Sequence, residues 1–128
     1  MSDAEELVRR FCDEWGKGSD VEALAAYFTD DAVYHNIPVD PVIGRDAIEA
    51  MLAMFTTGVE KMEFRVRNLS SHDNVVLTER VDVFVLPHVT IELPVMGTFE
   101  VEGDKIAAWR DYFDLNQYMT QLQAGAGS

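Results

Sequence analysis

Basic residues are scarce in this sequence. Lys and Arg total 10 against 23 Asp and Glu, a formal net charge of −13 at pH 7. That charge repels phosphate backbones and anionic membrane surfaces, so neither nucleic acid nor a membrane is expected as a partner. Cysteine is almost missing too. Cys12 stands alone, which rules out an internal disulfide, and its place in an amphipathic segment marks it as a small core residue. No apolar run approaches the ~18 residues of a membrane span, and the first residues lack the basic-then-apolar layout of a secretory signal. A cytoplasmic protein is the expectation. His35, His72 and His88 show no metal-ligand spacing among themselves or with Cys12. There is no glycine-rich phosphate loop, nucleophile elbow or dinucleotide fingerprint, so no metal and no cofactor are expected.

What is present suits one domain, 1–128, with 1–3 and 124–128 frayed. The apolar fraction of 48% supports a true core, and a chain of this length buries about two thirds of its surface on folding. Ser2-Asp3-Ala4-Glu5 has capping-box spacing, after which Leu7, Val8, Phe11, Cys12 and Trp15 recur at helical period. Ser19-Asp20-Val21-Glu22 offers a second box for a short helix carrying Leu24, Ala25 and Phe28. Val33–Ile37 reads as a short strand, and Asp46 to Thr56 as a helix with Ile48, Met51, Leu52 and Phe55 on its buried stripe. Segments 60–70, 74–86, 88–100 and 105–114 are strand-like, and 113–122 suits a last helix. Helices followed by a β-meander predict an α+β fold with helices on one side of a curved sheet.

Three strand segments carry polar groups where apolar ones are expected. In Thr78–Leu86, alternation puts Arg80 and Asp82 on the same face as Phe84 and Leu86, with Arg80 and Asp82 about 6.5–7 Å apart along the chain. The opposite face, Val81, Val83 and Val85, is also apolar, as in a strand with a core on one side and a subunit interface on the other. Asp111 shares its face with Ala107, Trp109 and Phe113, while Arg110 and Asp114 project oppositely. Tyr34 and Asn36 share a third face, able to hold a water by donating and accepting hydrogen bonds. Each cluster also has a plain structural reading. Arg80 and Asp82 would suit a surface ion-pair ladder, and Tyr34 with Asn36 a satisfied pair near a sheet edge. Buried carboxylates are costly unless they pair or do chemistry, so two of them with an arginine on one cavity would make an acid/base site.

Tyr34-His35-Asn36-Ile37-Pro38, Gly44-Arg45-Asp46-Ala47, Thr78-Glu79-Arg80-Val81-Asp82-Val83 and Trp109-Arg110-Asp111-Tyr112-Phe113-Asp114 resemble the signature segments of limonene-1,2-epoxide hydrolases, in order, over about residues 5–120. The resemblance implies a cone of the nuclear transport factor 2-like (SnoaL-like) type. Such a cone has a strongly curved mixed sheet, about four helices, a deep apolar pocket and usually a homodimeric state. It also implies roles: Asp111 as the base that deprotonates a water, Tyr34 and Asn36 as its holders, Asp82 as the acid that protonates the epoxide oxygen, and Arg80 as the bridge between the carboxylates.

Epoxide opening at neutral pH benefits from a push on water and a pull on the ring oxygen. The pull needs a neutral carboxylic acid, yet an ordinary Asp with pKa ~3.9 is only about 0.1% protonated at pH 7. Half occupancy needs about three units, roughly 4 kcal/mol of environment. Burial beside Phe84 and Leu86 and an anionic Asp111 raise the value, while Arg80 opposes them, so a single shared proton is the expectation. Alternation and the resemblance nominate Phe84, Leu93, Val95, Trp109 and Phe113, with Met54 from the third helix, as walls for a cyclic terpene-like or other hydrophobic epoxide. Two other readings stay open at this point. One is a ketosteroid-isomerase-like or polyketide-cyclase-like proton-transfer enzyme, the other a non-catalytic hydrophobic-ligand-binding module.

Overall fold

A computed structural model of the chain describes residues 2–18 and 20–126, with side chains through 124. The first helix, α1 (Asp3–Gly16), starts where Ser2 Oγ accepts the Glu5 N–H at 3.2 Å, and it buries Leu7, Val8, Phe11, Cys12 and Trp15. This stripe is one helical face, and it lies against the sheet through Trp15, whose ring stacks on Phe64 at 4.5 Å. The short helix α2 (Val21–Ala25) is capped by Asp20, which accepts the Ala23 N–H at 2.8 Å. Ser19, expected to open that box, lies outside the described residues.

Phe28 is not on α2 as expected; it begins β1 (Phe28–Asn36), a strand five residues longer at its start than alternation predicts. The reason is a register break. β1 pairs in parallel with the last strand at Phe28↔Ile106 and again from Val33↔Ala108, leaving the polar Thr29, Asp30 and Asp31 outside the pattern. A two-residue strand, β2 (Val42–Ile43), pairs with β1 and is too short to have been visible as periodicity. Then follow α3 (Arg45–Thr56), β3 (Lys61–His72), β4 (Val75–Val85), β5 (Thr90–Glu102), β6 (Lys105–Tyr112) and α4 (Leu115–Ala126).

The last four strands form the expected antiparallel meander, and the whole sheet runs β2-β1-β6-β5-β4-β3. Register shifts in β1, β3 and β5 bend it around the helices. The result is an α+β fold with a six-stranded mixed sheet and four helices. Inside, Trp109 is fully buried and ringed by Phe11 at 5.1 Å, Phe99 at 5.5 Å and Phe28 at 6.1 Å. Two expectations about the ends change. Asp3 is already helical and α4 continues through Ala126, whereas Met1, Gly127 and Ser128 lie outside the described residues. Asp114 caps α4, accepting the Asn116 N–H at 2.9 Å, and Arg110 reaches Glu100 at 2.6 Å.

Candidate active site

Cross-strand register builds the site. Thr78 of β4 faces Gly97 of β5, Gly97 faces Asp111 of β6, and Asp111 faces Asn36 of β1, a row across four strands. Arg80 and Asp82 stand two and four residues along β4, on the same inner face. The guanidinium of Arg80 turns back along that row. Its Nη1 and Nη2 donate to Asp111 Oδ1 (3.2 Å) and Oδ2 (2.8 Å), and its Nε and Nη2 to Asp82 Oδ1 (3.0 Å) and Oδ2 (2.9 Å). Nη1 also donates to Thr78 Oγ1 at 3.0 Å. All five N–H groups are therefore engaged, and both carboxylates are held bidentately in one plane. Phe64 lies against the flat side of that plane, its ring centre 4.7 Å from Arg80 Cζ.

The cluster is dry: Arg80 is 1% exposed, Asp82 4% and Asp111 3%. Burial pushes Asp82 up to about 6, against the pull of Arg80 and with help from the charge of Asp111. For Arg80 burial works against the charge, but Asp111 and Asp82 outweigh it and hold the guanidinium well above its ordinary value. The phenol of Tyr34 is raised far above the usual range by burial and then by Asp111, so it stays neutral. It donates to Asn36 Oδ1 at 3.2 Å, which leaves the Asn36 amide N–H groups to donate elsewhere. Burial likewise lifts the Cys12 thiol to about 12, as expected of an inert core residue.

An apolar cavity of about 230 Å³ opens onto this floor. Tyr34, Asn36, Asp82 and Asp111 all line it, together with the expected Phe84, Leu93, Val95 and Phe113. Arg80 does not: it is sealed behind the carboxylates. Two expected wall residues are elsewhere. Met54 is 76% exposed on the outer side of α3, because at about 100° per residue it falls roughly 120° from Ile48, beyond the buried stripe. Its place on the wall is taken by Met51 and Phe55. Trp109 lies behind the wall, stacked flat on Tyr34 (4.2 Å, 11°), and donates its indole N–H to Asp111 Oδ1 at 2.7 Å. It thus orients the carboxylate and backs the phenol without meeting the cavity.

Phe64, Val39, Leu115 and Tyr118 complete the lining and were not nominated from the sequence. Phe64 sits on alternation in β3, so its face was readable. Leu115 and Tyr118 depend on how α4 docks, which no periodicity reports. Among the described residues no three His, Cys, Asp or Glu side chains converge to hold a metal, and no helix is long and apolar enough to cross a membrane.

Residues 3–124 match the family model described as the limonene-1,2-epoxide hydrolase catalytic domain. The chain is 28% identical over 109 residues to epoxide hydrolase EphG of Mycobacterium tuberculosis, covering 85% of this chain and 72% of that protein. It superposes with a TM-score of 0.83 on an M. tuberculosis LEH-like epoxide hydrolase at 27% identity, covering 97% of this chain and 92% of that one. A candidate SnoaL-like polyketide cyclase from Shewanella denitrificans shares the fold at a TM-score of 0.84 and 17% identity, covering 97% and 99%.

Proposed function

The chain belongs to the limonene-1,2-epoxide hydrolase family, and from its buried triad we propose that it adds water to hydrophobic, cyclic terpene-like epoxides to give vicinal diols. The observation that carries the reading is Arg80 spanning Asp82 and Asp111 with every donor it has, on the floor of an apolar cavity. One positive charge between two carboxylates leaves room for a single shared proton, because two bare anions beside one cation would be costly in a dry site.

The water rests against Tyr34 and Asn36, and Asp111 takes its proton as oxygen attacks an epoxide carbon. The carbon–oxygen bond of the ring breaks, and Asp82 gives its proton to the departing oxygen. One proton has moved from water to Asp111 and one from Asp82 to product, so a return transfer from Asp111 to Asp82 through solvent resets the site. Water attacks directly and no ester forms on the protein. The roles of Tyr34, Asn36, Arg80, Asp82 and Asp111 belong to this proposal. So does a substrate that is neutral, since none of the described residues lining the cavity is a cation.

A homodimer is part of the same reading. On the outer sheet face, Leu77 (46% exposed), Met96 (51%) and Tyr112 (47%) are apolar and open, and Met96 and Tyr112 are register partners. The test of function is a panel of terpene, cyclic meso and sterol-type epoxides in oxygen-18 water. Diol with one labelled oxygen is the expected product, and Asp82→Asn and Asp111→Asn should each lose about 10²–10⁴ in kcat. Proton exchange without label, or variants as active as the parent, would overturn the assignment.

A further inference from the structure

Among the described side chains of α4, Gln121 is the one that hydrogen-bonds the sheet. Its Oε1 accepts the Glu92 N–H at 2.9 Å and its Nε2 donates to the Glu92 carbonyl at 2.9 Å. One carboxamide thus supplies the pair of bonds that a neighbouring strand would make. That side of β5 is open there, because β6 pairs with β5 only from Met96 to Glu102. Two residues along the same edge is Pro94, which has no N–H to leave unpaired. The edge therefore presents little except Glu92, and Gln121 takes it.

Docked in this way, α4 brings Leu115 and Tyr118 to the cavity wall. Tyr118 meets Phe84 edge-on at 6.0 Å, and Phe84 in turn meets Phe55 of α3 at 5.4 Å. Leu115 and Met119 remain 39% exposed, so α4 covers the cavity without being sunk in the core. The covered volume of about 230 Å³ is below the roughly 300–1,000 Å³ usual for drug-sized ligands. A substrate larger than this cavity meets α4 at Leu115 and Tyr118.

We propose that Gln121 is a latch that sets how large an epoxide the cavity admits. It is a positioning residue acting through α4, and the proposal rests on reading the cavity as the epoxide site. Two neutral, solvent-accessible hydrogen bonds are worth little enough that the helix opens and closes, with closure favoured. Gln121 does not line the cavity, so the chemical step on a small substrate does not depend on it.

The experiment compares wild type, Gln121→Ala and Gln121→Glu on cyclohexene oxide and a sterol 5,6-epoxide, with hydrogen exchange of the Glu92 amide read in parallel. Gln121→Glu keeps the acceptor for the Glu92 N–H but sets a carboxylate against the Glu92 carbonyl. In Gln121→Ala the sterol-to-cyclohexene ratio of kcat/KM should rise about tenfold, and Glu92 exchange should accelerate by a similar factor. Cyclohexene oxide kcat should not change, and Gln121→Glu should move the same way by less. An unchanged ratio with unchanged exchange would overturn the latch. If wild type turned over no epoxide, the reading of the site would fail, and the Glu92 exchange would still decide whether Gln121 holds α4.

Discussion

Gly97 gives its side-chain space to the guanidinium of Arg80. A Cβ on Gly97 would sit 2.7 Å from Asp111 Oδ1 and 2.9 Å from Thr78 Oγ1, and closer still to Arg80 Nη1. The fork from Arg80 to Asp111 passes directly over this residue, so a bare backbone here is a condition for the triad. Gly97→Ala should lower kcat about 100-fold by displacing the bridge, with a stability loss of roughly 1–3 kcal/mol from overpacking. Steady-state kinetics together with urea unfolding of the variant check both parts.

Asp82 makes the protein less stable as pH rises through a defined window. Its carboxyl titrates near 6 when folded, above the ordinary 3.8. Between those values the native state holds a proton that the unfolded chain has released, so stability falls with rising pH and levels off above about 6. The total is of order 3 kcal/mol. Urea midpoints for wild type and Asp82→Asn measured from pH 4 to 7 should show that downward slope in the wild type and its absence in the variant.

The same group should set the alkaline side of activity. In the proposed mechanism protonated Asp82 is the acid, so kcat/KM should decline with rising pH through a limb centred near 6. A bound apolar substrate dries the site further and disfavours the charged form, so the corresponding limb in kcat should lie higher. Initial rates at low and at saturating substrate across pH 5–9 separate the two limbs.

Trp109→Phe should keep the ring behind Tyr34 but remove the donor that now reaches Asp111 Oδ1 at 2.7 Å. A fall of about tenfold in kcat with little change in KM is the expected result, because the indole touches Asp111, the proposed base, and not the cavity. A change in KM alone would return Trp109 to the wall.

Met96→Glu, placed on the open outer face beside Tyr112, should convert the proposed dimer to monomer in multi-angle light scattering. Wild type that runs as a monomer would rule the dimer out.

Alternation made the chemistry of β4 and β6 legible. Arg80, Asp82 and Asp111 stood out because charges sat among apolar residues at period 2, and the structure puts all three on one face. Period 2 reports a face and not a depth, so it puts Trp109 on the wall although the residue lies one layer behind. It also says nothing of register across strands. Gly97 and Thr78 matter only because pairing sets them beside Asp111 and Arg80, and neither residue type advertises that in the sequence. The early start of β1 was hidden by its register break at Thr29–Asp31, where three polar residues, two of them exposed, interrupt the pattern.

In the proposed reaction, water activated by Asp111 and assisted by a neutral Asp82 opens the ring in one step. The decisive measurement is a single turnover in oxygen-18 water with enzyme in excess over epoxide. One-step opening gives diol with one labelled oxygen from the first turnover and a protein that carries none. Unlabelled diol in that turnover, with oxygen-18 found in the carboxylate of Asp111, would contradict it.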